Sequence, residues 1–563
     1  MYKITGYIIK ILVPVLLFLG IGVPGPAETC YNFNKYLSDK GEDAVNFLPK
    51  TIAPPQDEIY LIDRGSMNSA EFVMITSLQG ITAQTRAKIY IYDSNRIEFA
   101  KDFLAANPGV KPVYFTDPWQ LLEKSRSAIA DNGYILYEGG DNPTVNMAAT
   151  ICGVERWLMV EKSLESSAIA HGFSIKRDLT VKVSGEFTAT QASIFNEYKD
   201  RLNNTFILHQ RPTVTCTRDY SIAVKAPCIF ADEKDEAGVA FREDVFAWAK
   251  GNSMLFGWTT DEGTYVERAS QYGLNVIASD FCMNISFMAS LKTNEPIEQK
   301  NTAQNITADK TKHYVAIVMS DGDNLQWFEG GFSFAGSHFG RRQALDTSYK
   351  MSWTAPPIAA ELEPTVMKRV YATASANDNF VCGVSGIGYI NPSRYPAKFL
   401  NNFVNYTGYE MKKSDIKIVA LLDGVAGSKW IWEQTAFKPA LEYYAKNDNI
   451  DGGLIQSGNV YAGLGGKIYW CGDKPFISCG QSFWCGESVN GSAPMGWIEE
   501  FANTLNALPA SIHTEKGYTY LNVHPWSTNM ENLNYLVSLL NDNIELVTAE
   551  ELVQLVKDNV IHG

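Results

Sequence analysis

Residues 313–327 set the terms for the rest of the chain. Positions 314–319 are apolar without a break and rich in β-branched residues. That is the pattern of a strand buried on both faces, as in a parallel sheet or barrel. The run passes straight into Ser320-Asp321-Gly322-Asp323-Asn324, two carboxylates around a glycine. Folds of the α/β class collect their working side chains at the carboxyl ends of such strands. An Asp-Gly pair alone reads as a turn that ends the strand. Two aspartates with Asn324 and Trp327 on one exit also fit a site.

The preceding chain supports the same class. Residues 69–80 read as a helix with Ser69 as its cap, 88–92 as a strand, 119–129 as a helix and 134–138 as a strand. Pro143 suits the first position of a helix running to Gly153, and 157–160 is a further strand. This alternation predicts parallel pairing, in one or two units over 57–205 that would divide near residue 122. A third α/β unit follows over 206–290, with a helix at 244–250, a strand at 253–258, a helix at 264–271 and a strand at 275–280. Residues 291–312 are polar and aperiodic and read as a linker. In the last domain, 313–563, strands at 416–422 and 518–523 end in Asp423 and in His524-Pro525-Trp526. Thr548 and Glu551 form a capping box ahead of an amphipathic helix over 552–556. Three strands delivering acid, acid and imidazole to one rim predict a (β/α) barrel-like carboxyl-terminal domain behind several small α/β units. An open sheet would place the same residues in a crevice.

With 563 residues the chain exceeds a single core. Its net charge of -14 argues against nucleic acid, whose phosphates need lysine and arginine. Lys3 and Lys10, the apolar run 11–23 and Gly25-Pro26-Ala27 have the form of a signal peptide over 1–27, with a lead-in over 28–56. This predicts secretion to an extracellular, lumenal or periplasmic space, with no membrane contact once the leader is removed. Export permits disulfides, for which Cys216 with Cys228, and a pair among Cys471, Cys479 and Cys485, are the candidates. Asn203, Asn284, Asn305, Asn405 and Asn490 open glycosylation sequons that would matter in a eukaryotic host.

Ser385-Gly386-Ile387-Gly388-Tyr389-Ile390-Asn391-Pro392 resembles the signature that names the GxGYxYP family of putative glycoside hydrolases, with Asn391 where the name has tyrosine. Trp353-Thr-Ala-Pro-Pro357, Asp378-Asn-Phe380 and the 320–324 turn are similar to that family's carboxyl-terminal domain. Ser77-Leu-Gln-Gly80, Tyr134-Ile-Leu-Tyr137, Phe256-Gly-Trp258 and Asp261-Glu262 are similar to its amino-terminal units. The resemblance therefore runs from about residue 57 to the end, and implies an exported carbohydrate-active hydrolase acting on an oligo- or polysaccharide.

Glycoside hydrolysis needs two carboxyl groups about the scissile bond. Asp321 is the first candidate, and Asp323, Asp378 or Asp423 its partner. Residues two apart on an extended chain share a face with α-carbons ~6.5 Å apart. Asp423 reads equally as a turn former, and Asp378 is raised to a candidate by the resemblance alone. Trp327, Trp353, Tyr389 and Trp526 could stack on sugar rings, while Gly386 and Gly388 would let backbone approach a ligand. No cofactor is expected on this reading. Asp321, Asp323 and His524 would alternatively hold a divalent metal, as in a polysaccharide deacetylase-like hydrolase. A non-catalytic glycan-binding protein would keep the aromatics without a working acid pair.

Overall fold

The computed structural model describes residues 52–562, apart from 181–186, 260, 292–296, 302–305, 335, 337, 346, 424–429, 458–461 and 486–493. The expected leader, most of the lead-in, Asn305 and Asn490 lie outside the described residues.

Four sheets follow one another along the chain. Strands β1 (Glu58–Asp63), β2 (Ile89–Tyr92) and β3 (Lys111–Phe115) make a parallel sheet in the order β2-β1-β3. Strands β4 (Gly133–Tyr137), β5 (Leu158–Glu161) and β6 (Ser174–Asp178) make a second, in the order β5-β4-β6. The helix Ser69–Ala83 lies between them, almost wholly buried, which is why its sequence carries no polar stripe. Its cap is Asn68, not Ser69: Asn68 accepts from the Glu71 amide at 2.9 Å and Glu71 reaches back to the Asn68 amide at 3.0 Å. A third parallel sheet joins β7 (Phe206–His209), β8 (Cys228–Ile229), β9 (Met254–Gly257) and β10 (Asn275–Ile277) in the order β10-β9-β7-β8.

The fourth sheet closes on itself. It contains β11 (His313–Met319), β12 (Met351–Ala355), β13 (Asp378–Cys382), β14 (Ile418–Leu422), β15 (Gly452–Gln456), β16 (Ile468–Cys471), β17 (Lys474–Phe483), β18 (Tyr518–Val523) and β19 (Ile544–Val547). The parallel order β12-β13-β14-β15-β17-β18-β11 returns to its start through Val318↔Ser352 and Met319↔Trp353, giving a seven-stranded barrel. The closing seam is short because residues 313–316, the first half of β11, pair with β19 instead. Strand β16 is a hairpin arm antiparallel to β17. Every residue of β11 is buried, as its unbroken apolar run predicts.

The helix Ala549–Asn559 crosses the amino-terminal end of this barrel and packs on β11, β13, β17 and β18. Its apolar face, Leu552, Val553, Leu555 and Val556, joins Tyr314, Ile418, Leu454 and Tyr520 in one core. The capping box expected at Thr548 is formed: Thr548 accepts from the Glu551 amide and Glu551 from the Thr548 amide. One end of the barrel is therefore shut, which leaves the carboxyl ends of the strands as the open face. The described part of 291–312 is not a free linker. Gln299 accepts from the Phe380 amide at 2.7 Å and Asn301 donates to Ala376 O at 2.6 Å, strapping the segment to the barrel. Among the described residues no helix is long and apolar enough to cross a membrane.

Candidate active site

Two sets of strand ends face one cavity of about 210 Å³. The exits of β11, β13, β14, β15 and β18 contribute from the barrel, through residues such as Asp321, Val384, Leu422, Gln456 and Trp526. The exits of β9 and β10 contribute Trp258, Glu262 and Ala278 from the third sheet.

Local geometry fixes the first acidic turn. Asp321 has φ 66, a left-handed conformation uncommon outside glycine and asparagine or aspartate. Gly322 then passes so close to β12 that an added Cβ would lie 1.6 Å from Thr354 O, and its amide donates to Thr354 Oγ1 at 2.7 Å. Asp321 accepts at both oxygens, from Trp526 Nε1 at 3.1 Å and Ser320 Oγ at 2.5 Å. Asp323 keeps some surface toward the cavity and packs over Gly383, where any side chain would strike its Cβ at 2.7 Å. Burial, then the Asp321 carboxylate, then Glu262 push the Asp323 carboxyl up to about 7.

Glu262 is a third acid, the first residue of the helix Glu262–Gln271 that follows β9. Its Oε1 accepts from Tyr389 Oη at 3.1 Å. Burial raises its pKa against that hydrogen bond, and Asp321 raises it further. Trp258 stacks on Tyr389 with ring centroids 6.3 Å apart. The sequence reading counted Asp261-Glu262 as part of a resemblance and not as chemistry. The available signal was its place at the exit of a parallel strand.

The signature peptide brings this acid to the barrel. Ser385 at φ 64 and Gly386 at φ 142 turn the chain sharply after β13. Tyr389 then pairs with Val276 of β10, its amide donating to Val276 O at 2.8 Å and its carbonyl accepting from the Val276 amide at 3.2 Å. Gly386 abuts Phe403 and Thr407 of the barrel domain's own helix Ala397–Lys413, and Gly388 abuts Asn275 and Ile277 of the third sheet, so both glycines serve close packing and neither lines the cavity. The expectation that they receive a ligand is corrected accordingly. Asn391 is buried, its amide donating to Ser270 Oγ at 2.8 Å.

Other expected site residues lie elsewhere. Asp378 begins β13, at the closed end of the barrel, and pairs with Arg342 at 2.6 Å with both side chains buried. Burial alone would raise its pKa, but Arg342 and bonds from Ser375, Trp353 and Gln343 hold it below the usual carboxylate range. It is a structural ion pair and not a partner of Asp321. Trp353 is fully buried against Phe332 and Phe339 and donates Nε1 to Asp378 at 2.9 Å, so it is core and not a sugar platform. Asp423 does stand at a strand exit, but its carboxylate accepts from the Ser393 amide at 3.0 Å and Ser393 Oγ at 2.9 Å, and it is absent from the cavity wall. Trp327 is buried beneath Trp526, 5.2 Å between centroids, supporting that ring and not forming the surface. Trp526 itself is 49% exposed. Asn324 lines the cavity and its Oδ1 has no hydrogen-bond partner.

His524 stacks on Trp484 at 3.5 Å, with Nδ1 3.2 Å from Ser527 Oγ. Burial lowers its pKa against the pull of nearby Asp321, and His338 lowers it further. Ligand atoms of Asp321, Asp323 and His524 do not all lie within 4.8 Å of one another, so the expected ligand set is not assembled. Cys216, Cys228, Cys471, Cys479 and Cys485 are all free thiols, and the expected disulfides are not formed. Among the sequons, Asn405 is exposed and Asn203 half-buried. Asn284 is buried, accepting from the Ile91 amide at 2.7 Å and donating to Ile91 O at 2.8 Å, so the folded protein has no room for a glycan there.

Comparison with known proteins assigns the same parts. Four family models match in chain order: the GxGYxYP_N 1st domain over 58–127, the GxGYxYP_N second domain over 132–202, the GxGYxYP third domain over 204–290, and the GxGYxYP putative glycoside hydrolase C-terminal domain over 311–557. A crystal structure of a putative hydrolase from Bacteroides thetaiotaomicron VPI-5482 shares the fold at a TM-score of 0.79 and 23% identity, covering 92% of this chain and 97% of that one. No curated protein matches the chain.

Proposed function

This chain belongs to the GxGYxYP family of putative glycoside hydrolases, and on that premise we propose that it cleaves a glycosidic bond with Asp321 and Asp323. The observation that carries the reading is the shared cavity, where a pair of aspartates with unlike surroundings stands beside an exposed tryptophan. Asp321, accepting at both oxygens, is the carboxylate that acts as nucleophile or base. Asp323, raised to about 7, is the acid that keeps a proton for the leaving oxygen. Glu262, whose carboxylate form the Tyr389 hydroxyl favours by donating to it, adds negative charge that helps keep Asp323 protonated. Trp526 and Trp258 offer ring faces for sugar stacking. The charged and then apolar start of the chain supports export, so the substrate is an oligo- or polysaccharide met outside the cytoplasm.

A glycan panel assayed for new reducing ends, with wild type, Asp321→Asn and Asp323→Asn, tests this. Turnover by wild type that survives chelator and is lost in both variants supports the pair. Equal glycan binding without turnover by any of the three proteins would replace it with a binding role, and acetate release blocked by chelator would replace it with deacetylation.

A further inference from the structure

A second group of ionisable side chains lies where the first unit, the third unit and the barrel meet. Cys282 follows β10, Glu329 ends the helix Leu325–Glu329, and Glu363 immediately precedes the helix Pro364–Thr373. One thiol sulphur and two carboxylate oxygens from these residues lie within 4.8 Å of one another. All three side chains are fully buried. None of them lines the cavity of the acidic pair.

The two glutamates are not equivalent. Glu329 accepts from Arg96 Nε at 2.5 Å and from the Met283 amide at 2.9 Å. Arg96 is shared with Asp93, at 2.6 Å. Neither oxygen of Glu363 has a nitrogen or oxygen donor, and the ionisable groups acting on it are the Cys282 thiol, Glu329, Tyr90 and the Arg96 guanidinium that Glu329 holds. A buried carboxylate with no donor is strongly disfavoured unless a cation or a proton neutralises it. Three carboxylates, Asp93, Glu329 and Glu363, stand against one guanidinium, leaving two negative charges uncompensated.

We propose that Cys282, Glu329 and Glu363 bind a divalent transition-metal ion, zinc by their chemistry, as a structural clamp across the three units. A thiolate favours zinc over calcium or magnesium, which take oxygen ligands alone. Cys282 releases its thiol proton as the ion binds, so the negative charges then exceed Arg96 by three, and the ion's two positive charges offset all but one, at the partly exposed Asp93. The second oxygen of Glu363 is available to complete four-coordination, and each Glu329 oxygen keeps a lone pair beside its present hydrogen bond. The absence of any exposed ligand makes the role structural: the ion enters as the chain folds.

The full chain, expressed in zinc-supplemented medium and purified without chelator, should carry about one equivalent of zinc by mass spectrometry. Cys282→Ser and Glu363→Gln should each drop below about a tenth of that. Protein unfolded and refolded with strong chelator should show a Tm about 5 °C below wild type refolded with zinc. Protein expressed with cobalt should show a thiolate-to-cobalt absorption band that Cys282→Ser lacks. If either variant fails to fold, the wild-type cobalt spectrum decides alone. Wild-type protein with neither zinc nor the cobalt band overturns the proposal, as does a metal-free Glu363→Gln more stable than wild type, which would identify a proton shared between the two glutamates.

Discussion

Replacing Asp323 by asparagine separates a protonated site acid from an ordinary aspartate. Its carboxyl titrates at about 7 in the folded protein against an ordinary value of 3.8. The folded chain thus holds a proton that the unfolded chain has released between roughly pH 4 and pH 7. Stability tied to this group is present below pH 4 and falls as pH rises toward 7. A displacement of about three units, at 1.36 kcal/mol each, bounds the loss at about 4 kcal/mol. Asparagine keeps the shape and has nothing to ionise. The gap in Tm between Asp323→Asn and wild type should therefore open by about 10 °C from pH 4 to pH 8, at 2–4 °C per kcal/mol. The other raised carboxyls titrate in both proteins, so the difference isolates Asp323. On any glycan that wild type cleaves, the rate should fall above about pH 7, and the variant should lose 10²- to 10⁴-fold. A gap that stays constant across the pH range would refute the argument, whatever happened to activity.

Trp526→Ala should raise KM about 10-fold by removing an exposed ring, whereas Trp526→Phe should spare KM and lower kcat, because it removes the indole donor to Asp321. Gly322→Ala forces a Cβ to within 1.6 Å of Thr354 O, so the acidic turn must open; a loss of about 3 kcal/mol or more should appear as a lowered denaturation midpoint. Asp378→Asn breaks the buried pair with Arg342 at the closed end of the barrel and should cost about 3–5 kcal/mol in the same assay. At low temperature its kcat should equal that of wild type, and a selective loss of kcat would return Asp378 to the site.

How much of this was legible in the sequence depended on whether the signal was local. Strand β11 announced itself through an unbroken apolar run, and β14 did so through the same rule, while β18 did so through its aromatic and β-branched residues despite Asn522. Strands β12, β13 and β17 did not, since Ser352, Asp378, Asn379 and Gln481 interrupt them. Asn379 is held by Ser352 and Gln299, and Asp378 by Arg342, all more than a dozen residues away in sequence. The same limit explains the errors at the site. Asp378 and Asp321 both sit at ends of barrel strands, but Asp378 at the start of one and Asp321 at the finish of another. Sequence spacing does not distinguish a working rim from a plugged one until the helix Ala549–Asn559 is known to block the amino-terminal side.

Glu262 shows why the amino-terminal units cannot be treated as appendages of the barrel. It reaches the cavity only because β9 and β10 present their carboxyl ends to those of β11 and β13. That orientation is held by the backbone of Tyr389, which exchanges two hydrogen bonds with Val276, and by the Tyr395 hydroxyl, which donates to Asn275 Oδ1 at 2.7 Å. Gly388 is therefore needed where a larger residue would hold the two sheets apart, while Gly386, against Phe403 and Thr407, lets the turn seat on the barrel's own helix. The signature reads at first as a ligand loop; it works as a hinge-free joint that sets the distance between Glu262 and the aspartates. Since Glu262 contributes to the raised pKa of Asp323, the acid strength of the barrel's own residue is set from outside the barrel. A barrel domain cut free of the third sheet would keep Asp321 and Asp323 in place and lose the charge that tunes them.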